Sequence, residues 1–528
     1  MYRKNARKKA VVCPLSRKFA QKPYFYGMAA KFDTDPLLLG LKLRRYRLQK
    51  GLSFQELSQL SGLSISYLNE IEKGKKNPKP EKLEDLAKAL GVSVEKLREP
   101  ASEESLVVVE RLLRSNFLRE LPLQLFGIER HKIVEIIAQA PRRVSAFIST
   151  LLELARHYAL REENFYFGAL RAYLEMHNNY FPELEEEVDA FRQMQNTPLH
   201  VFGENQQLIA QLQNILERDF GIRVIHDGLD AYPDLYKIRA LCVPGKNQLL
   251  LQSRLNPTQR AFQLGKELGF RHLGLTQRAY TSSLLKVESF EHALSHFKAG
   301  YFSAALLMPR REMLKDIRLK LLNNPKLKPN SLLQWLKRYP ATPEMFFQRL
   351  TNLLPQNFGL KNIFLIRVIY QPESAKNRGI FLVDKELHLD HRHHPHANHL
   401  DEHYCRRWTA IRLINQLLQN KGKKKLAALN RIRFHGTQEE YLLLSMARPA
   451  YRSGGRLAAI ELGIQLDAAS RKKLQLPIEK IPLEIVNKTC ERCPLDDCKE
   501  RIAPPHLARE RQKQKRVFEI IDEILSSP

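Results

Sequence analysis

The sequence contains few cysteines and no long hydrophobic run. Six cysteines among 528 residues are too few for a disulfide scaffold and indicate a reducing compartment such as the cytoplasm. No apolar stretch approaches the roughly 18 residues that a membrane helix needs, so we expect no membrane span. Hydrophobic residues nevertheless make up 43% of the chain, which is enough to build packed cores.

Acidic residues are fewer than basic ones, 57 against 86, and the first 31 residues contain none. The formal net charge is +29, and residues 1–31 carry nine Lys or Arg. Such a charge favours polyanionic partners, nucleic acid first and an acidic membrane surface second. For the basic leader two interpretations stay open. It is either a phosphate-binding arm or targeting leader, or a stretch that precedes a true start at Met28.

The chain is predicted to be multidomain, since its length suits about three or four domains. Composition and hydrophobic periodicity divide it into five regions. These are a disordered basic extension (1–36), an all-α DNA-binding domain (37–98), a helical linker or dimerisation region (103–194), an α+β domain (200–355) and a β-rich C-terminal domain (356–528).

Residues 51–97 have the pattern of a helix-turn-helix. Ser53 is a natural N-cap, and Glu56 falls three residues later, which completes a capping box. Gly62 permits the positive φ of a tight turn, and Ser64 begins a second helix. The predicted inward-facing residues are Leu57 and Leu60 on the first helix and Leu68 and Ile71 on the second.

The second helix of this motif suits the major groove of duplex DNA, with its first residues at base edges. The lysines that follow it suit phosphates, whose contacts position a protein without specifying sequence. A helical bundle that binds nothing is the alternative, which the capping box, glycine turn and basic loop together disfavour. The candidate DNA contacts are Ser53, Phe54, Ser64, Ile65, Ser66, Tyr67, Asn69, Glu70, Lys73, Lys75 and Lys76.

This segment resembles the lambda-repressor-like (XRE, or Cro/C1-type) family. The resemblance implies a five-helix domain that binds a two-fold duplex operator as a homodimer and acts in transcription. Phe54 stands where many relatives have glutamine, which argues against a side-chain phosphate contact there. The matching residues are Leu57, Gly62, Ser64, Leu68, Ile71, Glu72, Gly74, Pro78, Leu86, Ala87, Leu90 and Gly91.

The stretch "FQLGKELGFRH" (262–272) has the frame of a zinc-peptidase helix without its ligands. A zinc peptidase needs histidines at i and i+4 beside a glutamate, in the pattern H-E-x-x-H. Here Lys266 and Phe270 hold the histidine positions and Glu267 the position of the general base. We therefore predict no catalytic zinc and no enzyme activity. Glu267 is expected to be solvated or ion-paired, for example with Lys266 or Arg271, and His272 to point away.

Downstream, "FKAGYFSAALLMP" (297–309) resembles an element of ImmA/IrrE-type metallopeptidases, whose glutamate is the third zinc ligand. Lys298 holds that position, so all three ligand positions are substituted. The resemblance implies a degenerate zincin-like α+β domain over residues 200–355. We expect the remaining cleft to be a sensing pocket, in which Lys266 and Lys298 favour an anion such as a CoA phosphate or a carboxylate.

The C-terminal "TCERCPLDDCKERIAPP" (489–505) places Cys490, Cys493 and Cys498 at C-x2-C-x4-C. Such spacing suits zinc or an iron–sulfur cluster, with Cys405 as the first choice for a fourth ligand and His506 as the second. Reduced thiols on a loop are the alternative. Seven histidines between residues 388 and 403 have no regular spacing, which favours a mobile polar loop over a loose metal site.

The whole chain resembles the short-chain fatty-acid or glyoxylate-bypass regulators, through "YLEMHNNYFPELE" (173–185), the peptidase-like middle and "CRRW" (405–408) before the cysteines. The resemblance implies a cytoplasmic, nucleoid-associated transcription regulator. Its implied signal is a short-chain acyl-CoA, a related acid or a redox change. The alternative is an antitoxin-like or interaction protein that binds DNA only to regulate its own operon.

Overall fold

A computed structural model describes residues 36–98, 162–195, 197–202, 205–283, 287–372, 379–389, 402–420, 422, 424–450 and 455–526. The chain divides into two compact units, whose described parts are residues 36–98 and residues 162–526. Nearly all of the predicted N-terminal extension and residues 103–161 of the predicted linker lie outside the described residues. Among the described helices, none combines the length and apolar character that crossing a bilayer requires.

The first unit is all-α, as predicted, and its helices surround one small core. Gly40 lets the first and third helices approach closely, because a Cβ at this position would lie 2.5 Å from the Ile71 carbonyl oxygen. The core includes Leu43, Leu57 and Leu86, all nearly inaccessible to solvent. The helices are α1 (Pro36–Gln49), α2 (Phe54–Ser61), α3 (Ile65–Glu72), α4 (Pro80–Leu90) and α5 (Val94–Arg98).

The second unit mixes helices with two sheets, in agreement with the predicted α+β and β-rich regions. Its helices are α6 (Glu162–Met176), α7 (Pro182–Met194), α8 (Asn205–Phe220), α9 (Pro257–His272), α10 (Phe290–Leu307), α11 (Arg310–Ile317), α12 (Pro329–Lys337), α13 (Pro343–Phe358), α14 (Thr409–Gln419), α15 (Ala468–Lys473) and α16 (His506–Ser526). Its strands are β1 (Arg223–Ile225), β2 (Ala240–Val243), β3 (Gln248–Leu251), β4 (Ile363–Gln371), β5 (Ile380–His388), β6 (Leu426–Phe434), β7 (Glu440–Pro449), β8 (Leu457–Gln465) and β9 (Leu483–Val486).

The smaller sheet has the strand order β1-β3-β2 and packs with α8, α9 and α10. Strand β1 is parallel to β3, and β2 is antiparallel to it. Residues of α6 and α7, among them Tyr166, Leu184 and Val188, belong to the same core as Leu264 of α9. The described part of the predicted linker is therefore built into the α+β region, because its apolar face is buried there.

The larger sheet has the order β5-β4-β8-β7-β6-β9 and separates two cores. Helix α14 packs on one face, while α12 and α13 pack on the other. Residues of α13 such as Phe346 share a core with Leu365 of β4 and Leu462 of β8. The predicted boundary at residues 355 and 356 is therefore not a structural break, because α13 covers the sheet that follows it.

A buried ion pair joins α7 to α13. Arg349 has no solvent-exposed surface, and its Nη2 donates to Glu185 Oε2 at 2.8 Å. Arg349 Nε donates to the Met308 carbonyl at 3.1 Å, and the Tyr301 hydroxyl donates to Glu185 Oε1 at 2.6 Å. The Arg349 guanidinium offsets the cost of burial and holds the pKa of Glu185 below its ordinary value.

Helix α16 runs along the surface with Ala508 buried and the rest of the helix beyond it exposed. It has no acidic residue in its first turn and no basic residue in its last turn. An exposed apolar stripe follows its C-terminal half, formed by Val517, Phe518, Ile520, Ile521, Ile524 and Leu525.

Candidate functional site

The first unit contains a helix-turn-helix with the predicted caps. The Ser53 hydroxyl accepts a hydrogen bond from the Glu56 N–H at 3.2 Å, and the Glu56 carboxylate accepts one from the Ser53 N–H at 2.7 Å. This capping box begins α2, and its bonds hold the pKa of Glu56 below the ordinary value. Gly62 ends α2 at a φ of 68°, and the Ser64 hydroxyl accepts from the Tyr67 N–H to begin α3.

Helix α3 has an anchored face and an exposed face. Leu68 and Ile71 are buried in the core, as predicted. The beginning of the helix is at the surface, since Ser64, Ile65 and Ser66 are exposed and Ile65 retains 47% of its accessible area. Short polar side chains at the exposed N-terminus of a second helix suit the edges of bases in a major groove. The other predicted contacts on this helix are half-buried: Tyr67, Asn69 and Glu70.

The predicted phosphate contacts follow α3 in a basic loop. Lys75 and Lys76 are exposed, and Lys73 is half-buried at the C-cap. Lys76 Nζ pairs with Glu70 Oε2 at 2.7 Å and lies 5.7 Å from the centroid of the Tyr67 ring. The bond to Glu70 raises the pKa of Lys76. Lys76 thereby offsets an acidic charge that would otherwise repel phosphates beside this helix.

Phe54 and Leu60 differ from the roles expected of them. Phe54 is half-buried, and the Arg47 guanidinium of α1 lies 4.1 Å from the centroid of its ring. Its side chain therefore contributes to packing, and its DNA contact stays a prediction. Leu60, predicted to face inward with Leu57, is 60% exposed. That prediction is wrong, because Ser61, one helical turn after Leu57, takes the buried position.

In the second unit, helix α9 carries the altered peptidase frame on a buried surface. It begins with a capping box between Asn256 and Gln259. The helix packs through Ala261, Leu264 and Leu268, which are all in the core. The three positions of the peptidase pattern are also buried: Lys266, Glu267 and Phe270.

Lys266 is bonded to protein groups. Its Nζ donates to the Ser282 carbonyl oxygen at 3.1 Å and lies 3.0 Å from His296 Nδ1. Burial lowers the pKa of Lys266 to about 7 and that of His296 to about 3, so the imidazole is neutral and accepts this bond. Lys298, the other predicted anion contact, is half-buried on α10, where Lys266 contacts His296. An anion at Lys266 would compete with the Ser282 carbonyl.

Glu267 is 3% exposed and paired with two guanidinium groups. Its Oε1 accepts from Arg271 Nε at 3.1 Å, and its Oε2 accepts from Arg278 Nη2 at 2.7 Å. The Arg278 guanidinium also lies 3.5 Å from the centroid of the Phe270 ring. The expected pair with Arg271 is confirmed, and a solvated Glu267 is excluded by burial. Sequence reasoning missed Arg278, which approaches from another segment of the chain.

His272 points away from the altered frame, as predicted. Its Nε2 lies 3.0 Å from Glu187 Oε2 on α7, and its ring packs edge-on against Phe191. The helix therefore offers no pair of metal-ligating side chains on the face that carries Lys266 and Phe270.

The predicted cysteine ligands lie in two neighbouring segments. The Cys490 N–H donates to the His403 carbonyl at 2.8 Å, which places the segment before α14 beside the cysteine motif. The Cys405 N–H donates to the Lys488 carbonyl at 3.1 Å and the Cys493 N–H to the Cys490 carbonyl at 3.3 Å, so Cys405, Cys490 and Cys493 lie on neighbouring segments. Burial raises the pKa of Cys405 to about 11. Cys498 is half-buried. Within the described ranges, no group of three or more His, Cys, Asp or Glu side chains is arranged to hold a metal ion.

Among the described residues, the side chains of His388, His403 and His506 have partners other than these cysteines. His506 is exposed, and its Nδ1 lies 3.3 Å from a backbone carbonyl two residues earlier. His388 and His403 each lie near a carboxylate, that of Glu386 and that of Glu491 respectively. The other five histidines of the 388–403 cluster, and with them most of the predicted loop, lie outside the described residues.

Glu461 is a buried acid that sequence reasoning missed. Its Oε2 accepts from the Ala410 N–H at 2.9 Å, at the start of α14, and from the Ser445 hydroxyl at 3.2 Å. Glu461 borders a small apolar cavity together with Trp408 and Phe434. Burial raises the pKa of Glu461 to about 7. The signal in the sequence was a lone acid inside the apolar run "RLAAIELGI".

Two family models match parts of the chain. The helix-turn-helix family matches residues 43–97, and the IrrE N-terminal-like domain family matches residues 217–350. The second match covers the frame in which Lys266, Phe270 and Lys298 replace the three zinc ligands.

Several known proteins are similar to the chain. The HTH-type transcriptional regulator RamB of Mycobacterium tuberculosis is 25% identical over 293 residues, which cover 52% of this chain and 58% of RamB. The chain thus spans little more than half the length of RamB. An uncharacterized HTH-type transcriptional regulator of Sinorhizobium fredii, y4dJ, is 42% identical over 66 residues, which cover 12% of this chain and 86% of y4dJ. A solved Mycobacterium tuberculosis transcriptional regulator is 18% identical, covers 64% of this chain and 94% of its own, and gives a TM-score of 0.44.

Proposed function

This chain belongs to the helix-turn-helix family of HTH-type transcriptional regulators and carries an IrrE N-terminal-like domain, and on that basis we propose that it controls transcription by binding a duplex DNA operator. The observation that carries the proposal is the geometry of α3. Its first residues, Ser64, Ile65 and Ser66, are exposed, while Leu68 and Ile71 fix the helix to the core. A helix held in this way presents a fixed set of side chains to a groove.

The proposed contacts divide into base readers and phosphate contacts. Ser66 and Asn69 read base edges through hydrogen bonds, and Ile65 packs against a thymine methyl group. Lys73 and Lys75 neutralise phosphates, which supplies affinity that falls as salt concentration rises.

We propose that the operator is two-fold symmetric and that two copies of the chain bind it as a homodimer. A dimer of helix-turn-helix units places its half-sites about one helical turn, or roughly 34 Å, apart. The proposed place of action is the nucleoid in the cytoplasm. Genome-wide footprinting of the full chain would identify the half-site spacing and the target genes.

The test of the DNA-reading surface is a gel-shift assay with an operator found by that footprinting. We expect the double substitution Ser66→Ala, Asn69→Ala to abolish the shift and leave the circular dichroism spectrum unchanged. Glu84→Ala, on an exposed position of α4, is the matched control and should bind as the wild type does. Sequence-specific binding that survives the double substitution would refute the assignment of α3.

The proposed signal is a short-chain acyl-CoA, a related short-chain acid or a redox change. A ligand that binds one of two conformations more tightly shifts their populations and thereby the affinity for the operator. Support comes from the resemblance to short-chain fatty-acid regulators. Calorimetric titration with acyl-CoA compares the wild type with the Lys266→Ala, Lys298→Ala variant, and equal affinities would remove these two lysines from the effector site.

We further propose that Cys405, Cys490, Cys493 and Cys498 bind zinc or an iron–sulfur cluster, which would cross-link two segments of the C-terminal region. The backbone hydrogen bonds that bring the segment of Cys405 beside that of Cys490 and Cys493 support this proposal, although the thiols would have to turn toward one centre. Metal analysis of protein purified with and without oxygen should find metal that Cys493→Ser loses. Cys242→Ser, a buried cysteine elsewhere, should retain it. Metal-free wild-type protein would refute this proposal.

A further inference from the structure

The edge strand β2 of the smaller sheet is extended by a short segment of the same chain, residues 278–282. Leu241 forms an antiparallel bridge with Thr281. The Cys242 N–H donates to the Tyr280 carbonyl at 2.9 Å, and the Ser282 N–H donates to the Ala240 carbonyl at 2.8 Å. The segment therefore lies on the sheet edge as an added strand, although it follows α9 in sequence.

The same segment contacts Lys266 and Phe270, the two substituted positions on α9, and also Glu267. Lys266 Nζ donates to the Ser282 carbonyl at 3.1 Å, and Glu267 Oε2 accepts from Arg278 Nη2 at 2.7 Å. The Phe270 ring lies under the Arg278 guanidinium. From α10, His296 Nε2 donates to the Ala279 carbonyl at 3.0 Å, and its Nδ1 accepts from Lys266, in the one neutral tautomer that satisfies both bonds.

These contacts define a groove with three separate requirements. We define the α9–β2 groove as the surface formed by β2, the residues Lys266, Glu267 and Phe270, and His296. Its sheet edge requires an extended backbone. The Lys266 ammonium and the His296 N–H require carbonyl oxygens, and the buried Glu267 carboxylate requires a cation. Lys266 stands where a zinc peptidase has a metal ligand, and its ammonium group binds a carbonyl oxygen. In a zinc peptidase the zinc ion would polarise such an oxygen as a Lewis acid.

We propose that the α9–β2 groove is a peptide-binding site, which residues 278–282 fill within the chain and which an extended segment of a partner protein, bearing an arginine side chain, fills in exchange. The charge and the aromatic ring in the groove determine that the partner segment carries an arginine. Glu267 is 3% exposed and would be left with one guanidinium, that of Arg271, if an incoming segment brought no cation. Arginine fits best, because a planar guanidinium both pairs with the carboxylate and stacks on the Phe270 ring.

The geometry of the internal segment makes exchange feasible. The internal segment is short, since it comprises only residues 278–282. Tyr280 retains 47% of its accessible area, and Ser283, the next residue after the segment, is exposed. Their attachment consists of edge hydrogen bonds, the contacts of Lys266 and His296 with carbonyl oxygens, the bond from the Arg239 N–H to the Ser282 hydroxyl at 2.9 Å, and one buried arginine. An internal segment of this kind lowers the apparent affinity for a competitor by the fraction of time that the groove is free. A partner binds more tightly when the internal segment is weakened.

The experiment measures the fluorescence anisotropy of a labelled synthetic peptide, TQRAYTSS, which copies residues 276–283, with the full-length chain. We expect weak binding to the wild type and at least about tenfold tighter binding to the Arg278→Ala variant, whose groove is more often free. Ser282→Pro is a second variant, which removes the N–H that bonds Ala240 and leaves Arg278 in place. It should also bind the peptide more tightly than the wild type does.

Two matched controls separate the groove from unspecific binding. The peptide with alanine in place of its arginine should bind the Arg278→Ala variant at least about tenfold more weakly, because Glu267 then lacks its cation. Adding Glu267→Gln to the Arg278→Ala variant should remove the preference for the arginine peptide. If both folded variants bind the peptide no better than the wild type, or bind both peptides equally, the proposal is overturned. Operator binding plays no part in this assay, so the outcome is independent of the proposed function in transcription.

Discussion

The stability of the C-terminal sheet should depend on pH because Glu461 ionises within it. Its carboxyl group is 2% exposed, and both of its hydrogen bonds come from uncharged donors, the Ala410 N–H and the Ser445 hydroxyl. Because no cation compensates a carboxylate in these bonds, burial raises the pKa of Glu461 from 4.5 to about 7. We consider the substitution Glu461→Gln, which mimics the protonated side chain and cannot ionise.

The direction of the change in the free energy of unfolding follows from the pKa of Glu461 in the unfolded chain and its pKa in the folded chain. Below pH 4.5 both folded and unfolded chains hold the proton, so ionisation costs nothing. As the pH rises toward 7 the unfolded chain loses its proton first, and the free energy of unfolding falls. A tenfold change in proton affinity corresponds to about 1.4 kcal/mol, so the complete loss is about 3 kcal/mol. Above pH 7 both states are ionised and the loss is constant. Glu461→Gln should therefore match the wild type at pH 4 and exceed its stability by about 3 kcal/mol at pH 8.

The assay is denaturant unfolding followed by the fluorescence of Trp408, which borders the same cavity as Glu461. Trp335→Phe in every variant leaves Trp408 as the single tryptophan, since the chain has two. Glu510→Gln, an exposed position on α16, controls for the loss of one charge. Equal stability of Glu461→Gln and the wild type at both pH values would show that Glu461 is solvated or paired, and would refute the reasoning.

Three further predictions concern interactions within one or the other unit. Ser53→Ala should lower the thermal stability of the first unit by about 1 kcal/mol through loss of its capping box, whereas Ser53→Asp should retain most of it, as calorimetry would show. Gly40→Ala should abolish operator binding, because its Cβ would meet the Ile71 carbonyl at 2.5 Å, and normal binding would contradict this close approach. Arg349→Met should cost about 3–5 kcal/mol in denaturant unfolding by stranding the Glu185 carboxylate, and adding Glu185→Leu should recover most of it. No recovery would show that the two residues act separately.

Local features were predictable from the sequence because short-range chemistry decides them. The Ser53–Glu56 capping box, the positive φ of Gly62 and the buried face of α9 each depend on residues within one or two helical turns. The pair of Glu267 with Arg271 belongs to the same class, since the two residues are four apart on one helix. The family resemblance of the first unit likewise rests on a contiguous stretch.

Long-range features were not predictable in this way. Arg278 and Ser282 reach the altered peptidase positions by crossing the edge of a sheet, and no spacing rule relates them to Lys266. The predicted boundary near residue 355 failed because hydrophobic periodicity shows that Phe346 is inward but not which sheet it covers. The prediction that Leu60 faces inward was wrong because a single leucine on a short helix does not reveal whether another core lies beside it.

Dissolved salt should have opposite effects on helix α16 and on the proposed DNA contacts of the first unit, because of the order of charges along α16. Arg509 lies in its first turn and Asp522 and Glu523 lie near its last turn, so the charges at both ends oppose the helix dipole. Counterions screen such exposed repulsions, and a higher ionic strength therefore makes this helix more regular. The same ions weaken the lysine contacts that the first unit is proposed to make with DNA. In a salt titration we therefore expect this helix to become more regular while the proposed binding to DNA weakens.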